Sequence, residues 1–129
     1  MLKLTYIETG FHLEHLTQFL EEWVALRVIL ALRVGNSFYL EPSTASFLLP
    51  IDLPGLNSLV DEVRRQRTKE VDFCLCDDEY IEVSLKGTWL ASDAECEEGV
   101  FVTALPEAIE ILLFKLWQSA QIGTTVVSE

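Results

Sequence analysis

The chain has 129 residues, of which 50% are hydrophobic and 10% aromatic, and its formal net charge is −12 at pH 7. This size and apolar content predict a single folded domain over residues 1–129 and argue against intrinsic disorder. The negative charge argues against binding to nucleic acid or to an anionic membrane surface.

The N-terminal residues predict strands. Residues 2–8 alternate weakly between apolar and polar side chains, which indicates a β-strand, and Thr9-Gly10 predicts a turn. Residues 11–20 fit either a helix or the second strand of a hairpin, and we favour a strand followed by a short connection.

Residues 23–34 show the most regular pattern in the chain, because six large aliphatic residues alternate with a mixed set. A period of two is typical of a strand with one face against a core, so we predict a long β-strand here. Arg27 and Arg33 fall on its mixed face, about 20 Å apart by strand rise. We expect each arginine to pair with a carboxylate. The alternative is that one of them orients an anionic ligand in a pocket, which makes Arg27 and Arg33 the candidate ligand-binding residues.

The next segment is predicted to form two short strands. Gly35-Asn36 predicts a hairpin turn, and residues 37–41 return antiparallel to the long strand. The Pro42-Ser43-Thr44 segment is expected to break the pairing before a further strand at residues 45–49.

A helix is predicted after Pro54, with Asp52 or Asn57 as its cap. Its apolar residues recur at i, i+3, i+4 and i+7: Leu56, Leu59, Val60 and Val63. Four basic residues follow, and we interpret them as complementing the helix dipole rather than as an anion site: Arg64, Arg65, Arg67 and Lys69.

Residues 71–89 predict a hairpin with a turn at residues 77–79 and one buried face. An acidic loop at residues 93–99 leads to a last strand at residues 100–105. This loop and the acidic residues at positions 70–82 could form an acidic face for a basic partner.

A final helix begins after Pro106 and presents an apolar stripe to the core: Ile109, Leu112, Leu113, Leu116, Trp117 and Ala120. Ile111 and Phe114 point to the opposite, otherwise polar side of this helix. Two large apolar side chains there need a cover, either from this chain or from a second subunit. Ile111 and Phe114 are therefore the candidate interface residues.

The motifs that carry chemistry are weak. Cys74-Leu75-Cys76 and His12-Leu13-Glu14-His15 lack the ligand number and spacing of zinc sites, so we expect no metal and no cofactor. No nucleophile motif or phosphate-binding glycine loop is present. These observations favour a non-catalytic protein over an enzyme.

Several segments of the first half of the chain carry a family resemblance: Leu20-Glu21-Glu22-Trp23, Arg27, Leu32-Arg33-Val34-Gly35 and Ser43-Thr44-Ala45-Ser46-Phe47-Leu48-Leu49-Pro50. They resemble small uncharacterised proteins of cyanobacteria. The resemblance implies a cytoplasmic bacterial protein and assigns no functional residue. Three cysteines, an odd number, also suit reduced thiols in a cytoplasm, and residues 1–8 do not have the pattern of a signal peptide.

Together these observations predict an α+β fold, with an antiparallel sheet of about six or seven strands and two helices packed on one face. The predicted function is a non-catalytic interaction or regulatory domain that forms a homo-oligomer, a dimer in the simplest case, with a basic protein as a conceivable partner. One alternative is a small anionic-ligand-binding domain or modest enzyme with a pocket near Arg27 and Arg33. A second alternative is an acidic nucleic-acid mimic that binds a basic protein.

Overall fold

The computed structural model describes residues 1–8, 10–35, 39–91 and 98–127, with side chains through Ala120. The elements follow in the order β1 (Leu2–Ile7), β2 (Gly10–His15), α1 (Leu20–Arg33), β3 (Tyr39–Pro50), α2 (Leu56–Arg65), β4 (Val71–Leu75), β5 (Tyr80–Ala91), β6 (Gly99–Thr103) and α3 (Glu107–Val127). The fold is α+β, and the described residues form an antiparallel sheet of six strands and three helices, where the sequence predicted two helices. None of the described helices has the length and hydropathy needed to span a membrane.

The strand order is β2-β1-β6-β5-β3, and β4 also pairs with β5. Contacts along the chain divide it into two compact units. The first unit comprises residues 1–44 and 86–104, and the second comprises residues 45–85 and 105–129. Both units are assembled from two separate stretches of sequence.

In the first unit, β1 pairs antiparallel with β2 on one side and with β6 on the other. Leu4 lies opposite Leu13 of β2 and Phe101 of β6, and all three side chains are fully buried. The weak alternation in residues 2–8 therefore reports a real buried face. Residues 11–15 form a strand, as favoured from the sequence.

Gly87 marks a close approach in the same unit. A Cβ built on Gly87 would collide with the carbonyl oxygen of Val102 and come within 2.7 Å of the Phe101 ring. On the neighbouring position of β6, the Thr103 hydroxyl donates a 2.8 Å hydrogen bond to the carbonyl of Lys86. Only glycine leaves room for this arrangement between β5 and β6.

The second unit contains β4 and the part of β5 that pairs with it, Ile81 to Leu85, as the predicted hairpin requires. The Asp77 carboxylate accepts hydrogen bonds from the backbone N–H groups of Glu79 (2.7 Å) and Tyr80 (2.9 Å), which closes the turn. Ile81, Val83 and Leu85 are buried on one face of β5, as the alternation predicted.

Helices α2 and α3 contact each other in this unit. The predicted stripe of α2 is confirmed, because Leu56, Leu59 and Val63 are buried. The predicted caps are wrong: Gly55 holds the N-cap position with φ of 93°, so neither Asp52 nor Asn57 caps the helix. A left-handed φ is accessible to glycine at low cost, so glycine suits this position.

The start of α3 is fixed by a buried carboxylate. Glu110 accepts a 2.8 Å hydrogen bond from the backbone N–H of Leu105, just before the helix. An acidic side chain in the first turn also complements the helix dipole. Ile109, Leu113 and Leu116 are buried, which confirms the centre of the predicted stripe.

The prediction of a strand at residues 23–34 is wrong, because residues 20–33 form the helix α1. Nearly all of these residues are apolar, so alternation arises in the sequence without reporting a buried face. Leucine, alanine and arginine favour helices, and no turn residue interrupts the run before Gly35. The run is also longer than most strands.

Two neighbouring predictions change with it. Gly35 has φ of +71° and its N–H bonds the carbonyl of Leu32 at 3.2 Å, so it ends a helix instead of forming a hairpin. Asn36 and residues 37–38 lie outside the described residues, as do positions 93–97 of the acidic loop. The predicted break at Pro42 is also wrong: β3 continues through it, and β3 stands last in the strand order, where proline is tolerated.

We predict a change in alkaline stability from Tyr6, whose ring lies 5.8 Å from that of Phe11 and 5.5 Å from that of Trp89. Burial raises the pKa of Tyr6 above its ordinary value of about 10. The unfolded chain therefore loses this proton first, so stability from Tyr6 is present below pH ~10 and falls as the pH rises further. Urea unfolding followed by tryptophan fluorescence from about pH 9 to 11 should show a shallower decline for Tyr6→Phe. Equal slopes for the two proteins would contradict this.

Candidate interaction surface

Helix α1 belongs to the first unit and has a single buried side chain, Trp23. Trp23 packs in a cluster with Met1, Leu90 and Val102. The half-buried residues around this cluster are Leu16, Leu20, Val24 and Val100. Just before the helix, Leu16 and Met1 exchange two backbone hydrogen bonds of 2.9 and 2.7 Å, which fix the connection from β2.

Two cations lie over the Trp23 ring. The guanidinium carbon of Arg27 is 4.8 Å and the Lys3 ammonium is 5.6 Å from the ring centroid. Both distances fall in the range of cation–π attraction. This contact gives Arg27 an intramolecular role on the inner half of α1.

Outside the residues that pack against this cluster, α1 is exposed and largely apolar. We call Leu26, Ile29, Leu30 and Leu32 the outer face; with Val34 they expose between 43% and 72% of their surface. A helix of a soluble protein normally carries polar residues on its outward side. A group of large exposed aliphatic side chains on one helix is typical of a surface that binds a partner.

One acidic and one basic residue flank this outer face. Glu22 lies in the first turn of α1 and Arg33 in the last, and both are exposed. Each charge complements the adjacent end of the helix dipole. Within the described part of the chain, neither side chain makes an ion pair.

The structure places the two candidate ligand-binding residues on different sides of helix α1. On a helix, Arg27 and Arg33 are about 9 Å apart along the axis and point about 120° away from each other. The predicted strand spacing of these two residues is therefore wrong. Arg27 lies over Trp23, and Arg33 is exposed at the end of α1.

The candidate interface residues of α3 are less exposed than expected. Ile111 and Phe114 are both half-buried, and Phe114 has a contact within the chain. Whether they contact a second subunit stays a prediction.

The residues of the outer face were missed, since the strand interpretation placed Leu26, Leu30 and Leu32 in the core. A signal for them was present in the sequence. Leu20, Val24, Val28 and Ala31 recur at helical spacing on the inner side, which leaves Leu26 and Ile29 on the opposite side.

The histidine and cysteine motifs do not come together as a site. His12 and Glu14 share one face of β2, with Nε2 and Oε1 3.8 Å apart, and His15 alternates to the other face. Cys74 and Cys76 are exposed free thiols. No group of three or more potential metal ligands occurs among the residues that the structure describes.

The fold and surface define a small α+β protein with an exposed apolar helix face. The chain belongs to the Alr0857-like family, whose model matches residues 1–121. This match confirms the predicted resemblance to a small family of uncharacterised proteins and extends it beyond the first half of the chain. No curated protein and no solved structure matches the chain.

Proposed function

We propose that this protein is a non-catalytic interaction domain that forms a homodimer through helix α1. The observation that carries the proposal is the exposure of the outer face, Leu26, Ile29, Leu30 and Leu32, along one helix. Burying a large aliphatic side chain contributes about 1.5–3 kcal/mol. A complex in which a partner covers this helix is therefore stabilised, because it buries residues that the monomer exposes to water.

The choice of α1 over α3 follows from exposure. Ile111 and Phe114 are half-buried, whereas Leu32 exposes 72% of its surface. Apolar area that is still accessible determines how much a partner can bury. The outer face of α1 is therefore the first surface to test, and Phe114 the second.

Two further expectations belong to this proposal. The exposed thiols of Cys74 and Cys76 suit a reducing compartment, which supports a cytoplasmic location. The contact between α2 and α3 supports a packing of these two helices on one face of the sheet. The cyanobacterial source implied by the resemblance stays a prediction.

We expect native mass spectrometry and sedimentation velocity to show a dimer, twice the 14.6 kDa of the chain, with no bound small molecule. The dimer should dissociate on dilution, since the apolar surface of one helix is modest beside that of an obligate dimer.

A monomer at high micromolar concentration would contradict this proposal. If that monomer carried a stoichiometric anion, the alternative of an anion-binding site near Arg27 and Arg33 would take its place. Salt-sensitive capture of a basic protein by the monomer would instead favour the nucleic-acid mimic.

A further inference from the structure

We propose that the outer face of α1 binds the same face of α1 in a second copy, with the two helices antiparallel. This inference rests on the proposed function and names the partner and the orientation. A two-fold axis would pass between Leu26 and Ile29, so that these side chains of both protomers meet at the centre. Such an interface uses one surface twice and must be complementary to itself.

The self-complementarity is visible in the two charges that flank the outer face. Glu22 and Arg33 are eleven residues apart, which is about three helical turns, so the two side chains lie on nearly the same line of the helix. Leu26 and Ile29 lie between them. Each charged residue is about 8 Å along the helix axis from the midpoint of this line.

An antiparallel pair about that midpoint places Glu22 of each protomer beside Arg33 of the other. Two ion pairs then flank an apolar centre, which is the usual arrangement of an interface with a polar rim. A parallel pair would place Glu22 beside its own copy and Arg33 beside its own copy. Like charges in contact disfavour that orientation, so the charges specify the antiparallel one.

The charge of the whole chain makes this helix the suitable contact. Two copies that each carry a net charge of −12 repel each other unless the contact is locally neutral. On the line from Glu22 to Arg33, one acid and one base cancel. A basic partner would instead be expected to bind an acidic surface, and the outer face of α1 is not one.

The test exchanges the charges at the two ends of α1. Glu22→Lys and Arg33→Glu, each alone, convert both interprotomer pairs from attraction to repulsion, and each should raise the dimer dissociation constant about tenfold. An equimolar mixture of the two variants should form heterodimers, because one protomer is basic at positions 22 and 33 and the other is acidic at both. The double variant should dimerise like the wild type.

Glu21→Lys is the matched control, since Glu21 lies in the same first turn but about 100° away from Glu22. Glu21→Lys changes the net charge, and the charge near the N-terminus of the helix, by the same amount as Glu22→Lys does. It should leave the dimer dissociation constant unchanged.

The readouts separate this inference from the proposed function. If Ile29→Glu abolishes the dimer but single charge reversals have no effect and no heterodimer forms, the antiparallel arrangement is overturned and the use of α1 stands. If the wild type is monomeric, or Ile29→Glu leaves the dimer intact, the proposed function fails as well. Weakening by Glu21→Lys equal to that by Glu22→Lys would also overturn the arrangement.

Discussion

Ile29→Glu is expected to convert the dimer into a monomer, raising its dissociation constant about 100-fold or more. Ile29 exposes 47% of its surface at the middle of the outer face of α1, so the chain alone tolerates a carboxylate there. In the dimer the same carboxylate would be buried against apolar side chains, at a cost of several kcal/mol. The effect occurs twice, because a two-fold interface contains both copies of the residue. Sedimentation velocity over a concentration series measures it.

Leu75→Glu is the matched control. Leu75 is a large aliphatic residue at the end of β4, it exposes 67% of its surface, and the substitution adds the same charge. It should leave the dimer intact, and circular dichroism of both variants should match the wild type. An intact dimer in Ile29→Glu, together with dissociation in Phe114→Glu, would move the interface to α3.

The parts of the fold that were predictable are those in which one face is buried and the other is wet. In the β4–β5 hairpin, Ile81, Val83 and Leu85 alternate with polar residues, so the period of two reports the burial directly. Helix α2 is similar, because charged residues lie between its buried residues. In both cases the polar positions carried as much information as the apolar ones.

Helix α1 lacked that information. With both sides apolar, the segment from Trp23 to Val34 satisfies a period of two and a helical stripe at the same time. Length and helix propensity would have distinguished the two interpretations. An apolar outer face is costly for a monomer, so the feature that misled the prediction is also the one that indicates an interaction surface.

The candidate site was predictable only in part for the same reason. Arg27 and Arg33 stood out because charges within an apolar run need a partner. The pattern does not say whether that partner is a carboxylate, an aromatic ring or a second subunit. The structure gives Arg27 the ring of Trp23, and it places Arg33 at the end of an exposed helix. The residues that share the side of Arg33 depend on the secondary structure. Because residues 23–34 were predicted as a strand, the predicted site had the wrong neighbours.

Trp23→Ala is expected to destabilise the fold by about 3–5 kcal/mol, since it removes the one buried side chain of α1 from its cluster with Met1, Leu90 and Val102. It also removes the ring on which Arg27 and Lys3 lie. For a domain of this size, the loss corresponds to a decrease in melting temperature of about 10–20 °C. Urea and thermal unfolding, measured below the dissociation constant of the dimer, test this without a contribution from self-association.

Leu32→Ala, on the same helix, provides the comparison. Leu32 exposes 72% of its surface, so its truncation should change the stability of the monomer by less than about 0.5 kcal/mol. A strand over residues 23–34 would reverse the order of the two effects, because Leu32 would then lie in the core and Trp23 on the mixed face. A larger loss for Leu32→Ala than for Trp23→Ala would therefore contradict the helix and with it the exposed outer face. The expected order of the two stability losses follows from a helix that packs on the core through Trp23. Its exposed leucines are then available to contact a second copy.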